Sequence, residues 1–171
     1  MWSLRRLLKS RGIRVVTCPE TREAAAVSLD PLEAAFSNSL HLSTCSRWPE
    51  RAACNQACLT QIASSPHDCL LRSIVASWYA GKSCIECKRP IGDIVWHEAP
   101  PALRLFDGSS HEWGDFAPQD LPNLFATSEP LCFYCNNVNE LARTRPDLVI
   151  QRDVGRASAR QAGLKPSSHS Y

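Results

Sequence analysis

Two Cys-x-x-Cys pairs stand far apart in this chain, Cys84-Ile85-Glu86-Cys87 and Cys132-Phe133-Tyr134-Cys135. Together they offer four thiolates, the ligand set of a closed tetrahedral zinc site. A Cys-x-x-Cys turn lets two sulfurs reach one ion while backbone N–H groups of the turn point at those sulfurs. Such bonds offset thiolate charge and fix the direction of each ligand. The second pair is expected to open a helix, where free N–H groups and the helix dipole favour thiolate. Four sulfurs leave no open coordination position, so the metal expected here is structural rather than catalytic.

Five more cysteines, Cys18, Cys45, Cys54, Cys58 and Cys69, fall within 52 residues. Cys45, Cys54 and Cys58 are expected to be three ligands of a second site. Cys54 and Cys58 are four apart, which on a helix places them on one face. The fourth ligand is Cys18 or Cys69. A three-stranded meander would carry Cys18 beside Cys45 and favours it, with Cys69 as the alternative and His41 and His67 in reserve. Ligand type suits zinc or an iron–sulfur cluster, although the spacing matches neither of the closely spaced ferredoxin runs. The third alternative is ordinary packing of buried thiols. The cofactor expectation is thus zinc at two sites, with an iron–sulfur cluster as the alternative at the second.

Other chemistries leave no mark. There is no phosphate-binding glycine loop, no Ser/His/Asp signature and no haem-attachment Cys-x-x-Cys-His. Cys84-Ile85-Glu86-Cys87 does not sit between a strand and a helix as a thioredoxin-type dithiol would.

The 171 residues suit one compact domain or two small ones. A net charge of +2 advertises no nucleic-acid partner, although none is excluded. No apolar run reaches the ~18 residues that would span a bilayer. Nine cysteines point to metal rather than disulfides if the chain is kept in a reducing compartment. Residues 1–16 hold no apolar core followed by a small-residue cleavage site, and the expected location is the cytoplasm.

The elements that must position these cysteines read as α+β, with small antiparallel sheets and short helices. Strands are predicted over Ile13–Cys18, Ala24–Leu29 and Leu40–Cys45, with a short helix over Pro31–Phe36 capped by Asp30. Helices are predicted over Ser46–Ser64 and from His67 or Asp68 to Ala80, the second stopped by Gly81. A tight turn at 88–92, a strand at Ile91–Trp96 and a hairpin across Asp107-Gly108 follow. Then come a helix at Leu121–Ala126 capped by Asp120, a longer one from Cys135 to about Arg145, and an apolar stretch at 148–150. The expected division is an amphipathic segment at 1–12, a cysteine-rich module at 13–80, a zinc-binding module with four cysteine ligands at 81–150 and a disordered basic tail at 151–171. Residues 2–11 suit either a helix packed on the domain or peripheral contact with a membrane surface.

The order of Cys-x-x-Cys turn, hairpin and a helix carrying the second pair resembles the treble-clef zinc finger. The resemblance covers residues 84–145. It implies that Cys84 and Cys87 take the knuckle role and that Cys132 and Cys135 take the helix role. The 44 residues between the pairs make a long insertion, and a zinc ribbon is the near rival. Some treble-clef proteins are His-Asn-His nucleases. Cys84/Cys87, His97, Asn123 and Leu131-Cys132-Phe133-Tyr134-Cys135-Asn136 are similar to their order, although Trp96 precedes His97 where that family usually has an acidic residue. The likeness implies His97 and Asn123 as weak catalytic candidates.

The expected function is a zinc-binding interaction or scaffold protein with a protein partner and no catalysis of its own. An iron–sulfur electron carrier and a His-Asn-His nuclease are the alternatives. Trp2, Trp48, Trp78, Trp96 and Trp113 are candidates either for an interface or for the core.

Overall fold

The computed structural model describes residues 11–36, 40–50 and 53–148. The segment at 2–11, but for its last residue, the stretch 149–150 and the tail from 151 therefore lie outside the described residues. The described chain is α+β, with two small antiparallel sheets, short helices and a cysteine cluster in its C-terminal half. It divides into two compact units, one ending at Asn137 and the other starting at Val138.

The first sheet is a meander of β1 (Arg14–Thr17), β2 (Ala24–Leu29) and β3 (Leu42–Cys45), in that order. Alternation sets its faces. Ala25, Val27 and Leu29 of β2 point inward with Val16 and Leu42, and Cys58, Ile62 and Cys69 close the core over them. Between β2 and β3 runs α1 (Pro31–Phe36), whose first N–H groups are capped by Asp30: Leu32 and Glu33 donate to its Oδ1 at 2.8 and 3.0 Å.

Among the described residues of the expected Ser46–Ser64 helix, only Leu59–Ser64, here α2, is helical. The reason is the competition for its backbone. Ser46 extends the sheet, exchanging hydrogen bonds with Ala26 through both its N–H and its Oγ. Gln56 stands at φ 57°, where a helix cannot continue, and its side chain accepts from the Leu42 N–H at 3.2 Å. Cys54 and Cys58 therefore do not share a helix face; Cys54 is on the loop and Cys58 is the N-cap of α2.

The next helix, α3 (Leu71–Tyr79), begins later than expected, so Cys69 lies in the preceding turn instead of in its first turn. Gly81, at φ 73°, turns the chain out of it. The expected strand at Ile91–Trp96 is an irregular segment whose Ile91, Ile94 and Trp96 pack on the second core.

The second sheet has the order β5-β4-β6, from β4 (Ala102–Leu105), β5 (Ser110–His111) and β6 (Ser128–Leu131). The hairpin turns at Asp107-Gly108, where Asp107 accepts from the Ser109 N–H and hydroxyl. Between β5 and β6 lies α4 (Leu121–Thr127); Asp120 precedes it, but its carboxylate makes no cap hydrogen bond. Leu121 and Leu124 of α4 join Val75, Tyr79 and Leu103 in a core rimmed by Trp78, Trp96, Trp113 and Phe125. Trp48 packs on the first core, so each described tryptophan contributes to a core. The final helix, α5 (Phe133–Thr144), starts in the first unit and supplies most of the described part of the second. In that second unit Arg143 pairs with Glu140, and Arg145 with Asp147.

Candidate metal centre

Cys84 ends the extended segment after Gly81 and enters a tight turn. Its N–H donates to the Arg89 carbonyl at 2.9 Å, and its own carbonyl accepts from the Lys88 N–H at 3.0 Å. Lys88, at φ 60°, closes this knuckle. The knuckle is tied to the second sheet twice. The Ile85 N–H donates to the Pro130 carbonyl of β6 at 2.8 Å, and Glu86 meets Arg104 of β4 at 2.5 Å. The sequence alone does not announce this ion pair. Its only local signal is an acidic residue between the two knuckle cysteines.

The other pair arrives with β6 and α5. Pairing of Leu131 with Ala102 places Cys132 against the knuckle, and Cys135 follows in the first turn of α5. Cys84, Ala102 and Leu131 form a small buried core, with Cys132, Cys135, Ile85 and Ile91 around it. Here the four sulfurs of Cys84, Cys87, Cys132 and Cys135 all lie within 4.8 Å of one another. Zinc held by four thiolates at about 2.3 Å requires sulfurs about 3.8 Å apart. The Cys87–Cys132 separation is 3.8 Å. Donor type, number and spacing therefore fit one tetrahedral ion.

Electrostatics around the sulfurs are uneven. Burial works to raise the Cys84 thiol, but the N–H groups of Cys132, Cys87 and Glu86 outweigh it and hold Cys84 down at about 6. Burial pushes Cys132 up, partly opposed by the Cys135 N–H. Burial, followed by hydrogen bonding with the other three sulfurs, also raises Cys135. The site thus holds one ready thiolate among sulfurs that share protons, and a cation would take the place of those protons.

Elsewhere, Cys18, Cys45, Cys54 and Cys58 line one small cavity with Trp48 and Arg47. Cys69 is not among them. It sits beside the buried Arg14 and donates to the Pro66 carbonyl at 3.7 Å. His41 and His67 are exposed, and neither lines the cavity. Among the described residues, the Cys84 group alone has its ligand atoms drawn to mutual contact.

His97 is exposed on a turn at 96–98, and Asn123 is exposed on α4. Neither belongs to the cysteine cluster. No helix among the described residues is long and apolar enough to cross a membrane. Fold and site together define a cysteine-rich α+β protein with a four-cysteine cluster that could hold a metal ion. No known family, curated protein or solved structure matches the chain.

Proposed function

We propose that this chain is a cytoplasmic zinc-binding scaffold or interaction protein, in which Cys84, Cys87, Cys132 and Cys135 hold one structural zinc ion. The observation that carries the reading is the approach of four sulfurs to within 4.8 Å, with N–H groups already directed at Cys84. Zinc suits four thiolates and needs no open position. The sequence of knuckle, hairpin and helix supports treble-clef geometry for this centre over a ribbon, because Cys135 lies in the first turn of a twelve-residue helix.

A non-catalytic role is the counterpart of a closed ligand set. Exposed Phe106 and Tyr134 offer apolar contacts to a protein partner. The metal-stiffened knuckle and hairpin would hold such a surface in place.

The test is elemental analysis of full-length protein purified anaerobically, together with a Mg²⁺-dependent plasmid-nicking assay. Zinc that is lost in Cys132→Ser, in protein that nicks nothing, supports the reading. Metal-free protein with native thermal stability overturns the metal, and nicking abolished by His97→Ala overturns the scaffold role.

A further inference from the structure

We infer that Cys18, Cys45, Cys54 and Cys58 form a second, mononuclear four-thiolate zinc centre at the end of the first sheet, and that Cys69 is the spare thiol. This centre is independent of the one at Cys84.

The strands β1–β3 supply two of the ligands. Cys18 follows the last residue of β1, and Cys45 closes β3 opposite Val27. An up-down-up meander brings both to the same end of the sheet. Two glutamines then tie the segment carrying Cys54 and Cys58 to the sheet, Gln61 at that end and Gln56 at the start of β3. Gln61 clamps Thr17, accepting from its N–H at 3.1 Å and donating to its carbonyl at 2.6 Å. Gln56 holds the Leu42 N–H. The outcome is a cavity of about 20 Å³ lined by all four cysteines.

Two of the sulfurs are already solvated by backbone. The Arg47 N–H donates to Cys45 Sγ at 3.4 Å, two residues on. The Thr21 N–H and hydroxyl and the Glu20 N–H face Cys18, in the turn that follows Pro19. N–H groups aimed at sulfur are what a thiolate ligand needs. Cys58 is buried with Cys45, Cys54 and Cys18 around it, so thiolates there would repel one another. A divalent cation would relieve that repulsion and draw the sulfurs closer than they stand without it. Four thiolates around one small cavity are the ligand set of a closed mononuclear zinc site, and iron and sulfide analysis separates it from a cluster.

Cys69 is excluded by its surroundings. It lines a different cavity with Asp68 and Ser65, and its charged neighbours are Arg14, which also hydrogen-bonds it, and Asp68. A guanidinium beside it would repel a metal ion.

The experiment is native mass spectrometry of the full chain purified anaerobically, with metal content measured in parallel. Two zinc ions per wild-type chain are expected, two in Cys69→Ser, and one in Cys45→Ser and in Cys18→Ser. The wild-type count decides the matter if a variant fails to fold. Iron with labile sulfide overturns the mononuclear centre. A drop to one in Cys69→Ser overturns the ligand choice. One zinc in the wild type, lost with Cys132→Ser and kept with Cys45→Ser, overturns this centre and leaves the first standing. The reverse pattern overturns the first and leaves this one.

Discussion

The backbone N–H of Cys132 points at the sulfur of Cys84, 3.4 Å away. One end of the cluster thereby solvates the other across 47 intervening residues. Without this approach the knuckle would be a turn like any other. With it, β6 delivers Cys132 as a donor to a buried sulfur, and the last ligand, Cys135, follows along the chain.

Replacing Cys132 by serine removes a ligand and puts a hydroxyl among three thiols. Structural zinc can contribute on the order of 10 kcal/mol to folding, comparable with the whole stability of a domain. The expected outcome is loss of the metal and of cooperative unfolding for the second sheet. Amide hydrogen exchange would show it as lost protection at Ala102–Leu105 and Ser128–Leu131. Protection unchanged from wild type would contradict a metal that holds this region together.

Metal release should depend on pH with a definite sign. Protons compete with zinc for thiolate, so affinity falls as pH falls. Cys132 and Cys135 are raised by burial, which makes protons strong competitors there; Cys84 keeps its charge down to about 6. For the metal-free chain the depressed Cys84 adds stability that is present above its ordinary value and lost as pH falls toward about 6. The raised pair works oppositely, stabilising below the ordinary thiol value and losing that contribution as pH rises through their own. Zinc release followed with a chromophoric chelator should rise steadily on acidification below neutrality. A release rate independent of pH would be incompatible with thiolate ligation.

The hydroxyl of Tyr79 donates to the Ala102 carbonyl at 2.5 Å and accepts from Trp113 Nε1 at 3.2 Å. Tyr79 is almost fully buried, and burial raises its phenol well above the ordinary value, so it is neutral at every working pH. Tyr79→Phe keeps the ring but leaves a carbonyl and an indole N–H without this partner. A loss of roughly 1–3 kcal/mol is expected from urea unfolding of the zinc-loaded protein, with metal content intact. Equal stability would mean that water replaces the hydroxyl.

Much of this fold is written in short-range chemistry. Asp30-Pro31 announces a capped helix, Gly81 a stop, and Asp107-Gly108 a hairpin; each signal acts within four residues. The paired motif at Cys84 and Cys132 is equally plain, because ligand type and spacing are properties of the sequence. The failures lie where distant partners override local preference. Nothing near Gln56 shows that its side chain will hold Leu42, or that Gln61 will take both backbone groups of Thr17. The Gln56 bond, with Gln56 at φ 57°, breaks the helix expected at 46–64 and leaves Cys54 outside it. The strand β6 escapes a reading of the sequence because Pro130 argues against one. It pairs only with β4, at the edge of the sheet, where a residue lacking an N–H is tolerated. Buried Arg14 reads as a surface residue until the register puts it on the same face as Val16.

Arg104 and Glu86 join the hairpin to the knuckle at partly buried positions. Through Glu86, Arg104 holds a cation at the knuckle that carries Cys84 and Cys87, and four thiolates would exceed the charge of one zinc. Arg104→Met should therefore cost about 1 kcal/mol of stability and speed zinc transfer to a competing chelator. Glu86→Gln removes the partner but not the cation, so it should lower stability by a similar amount without speeding transfer. Unfolding and chelator-competition experiments on the two variants separate these effects. Identical zinc-transfer rates would restrict Arg104 to anchoring the knuckle.

Gln61 offers the sharpest test of how the first sheet is closed. Its amide makes both hydrogen bonds to Thr17, and the residue packs α2 over the end of β1, one position from Cys18. Gln61→Ala leaves the backbone of Thr17 to be satisfied by water and frees α2 to drift. Gln61→Glu keeps the acceptor for the Thr17 N–H but sets a carboxylate against its carbonyl. Both variants should lose stability, on the order of 1–2 kcal/mol, with Glu the worse above about pH 5 because an ionised carboxylate cannot donate. Below about pH 4 the protonated carboxyl can donate again, and the gap between the two variants should close. Thermal unfolding across that range measures it, and a gap that stays constant would mean that the amide donor does not reach Thr17.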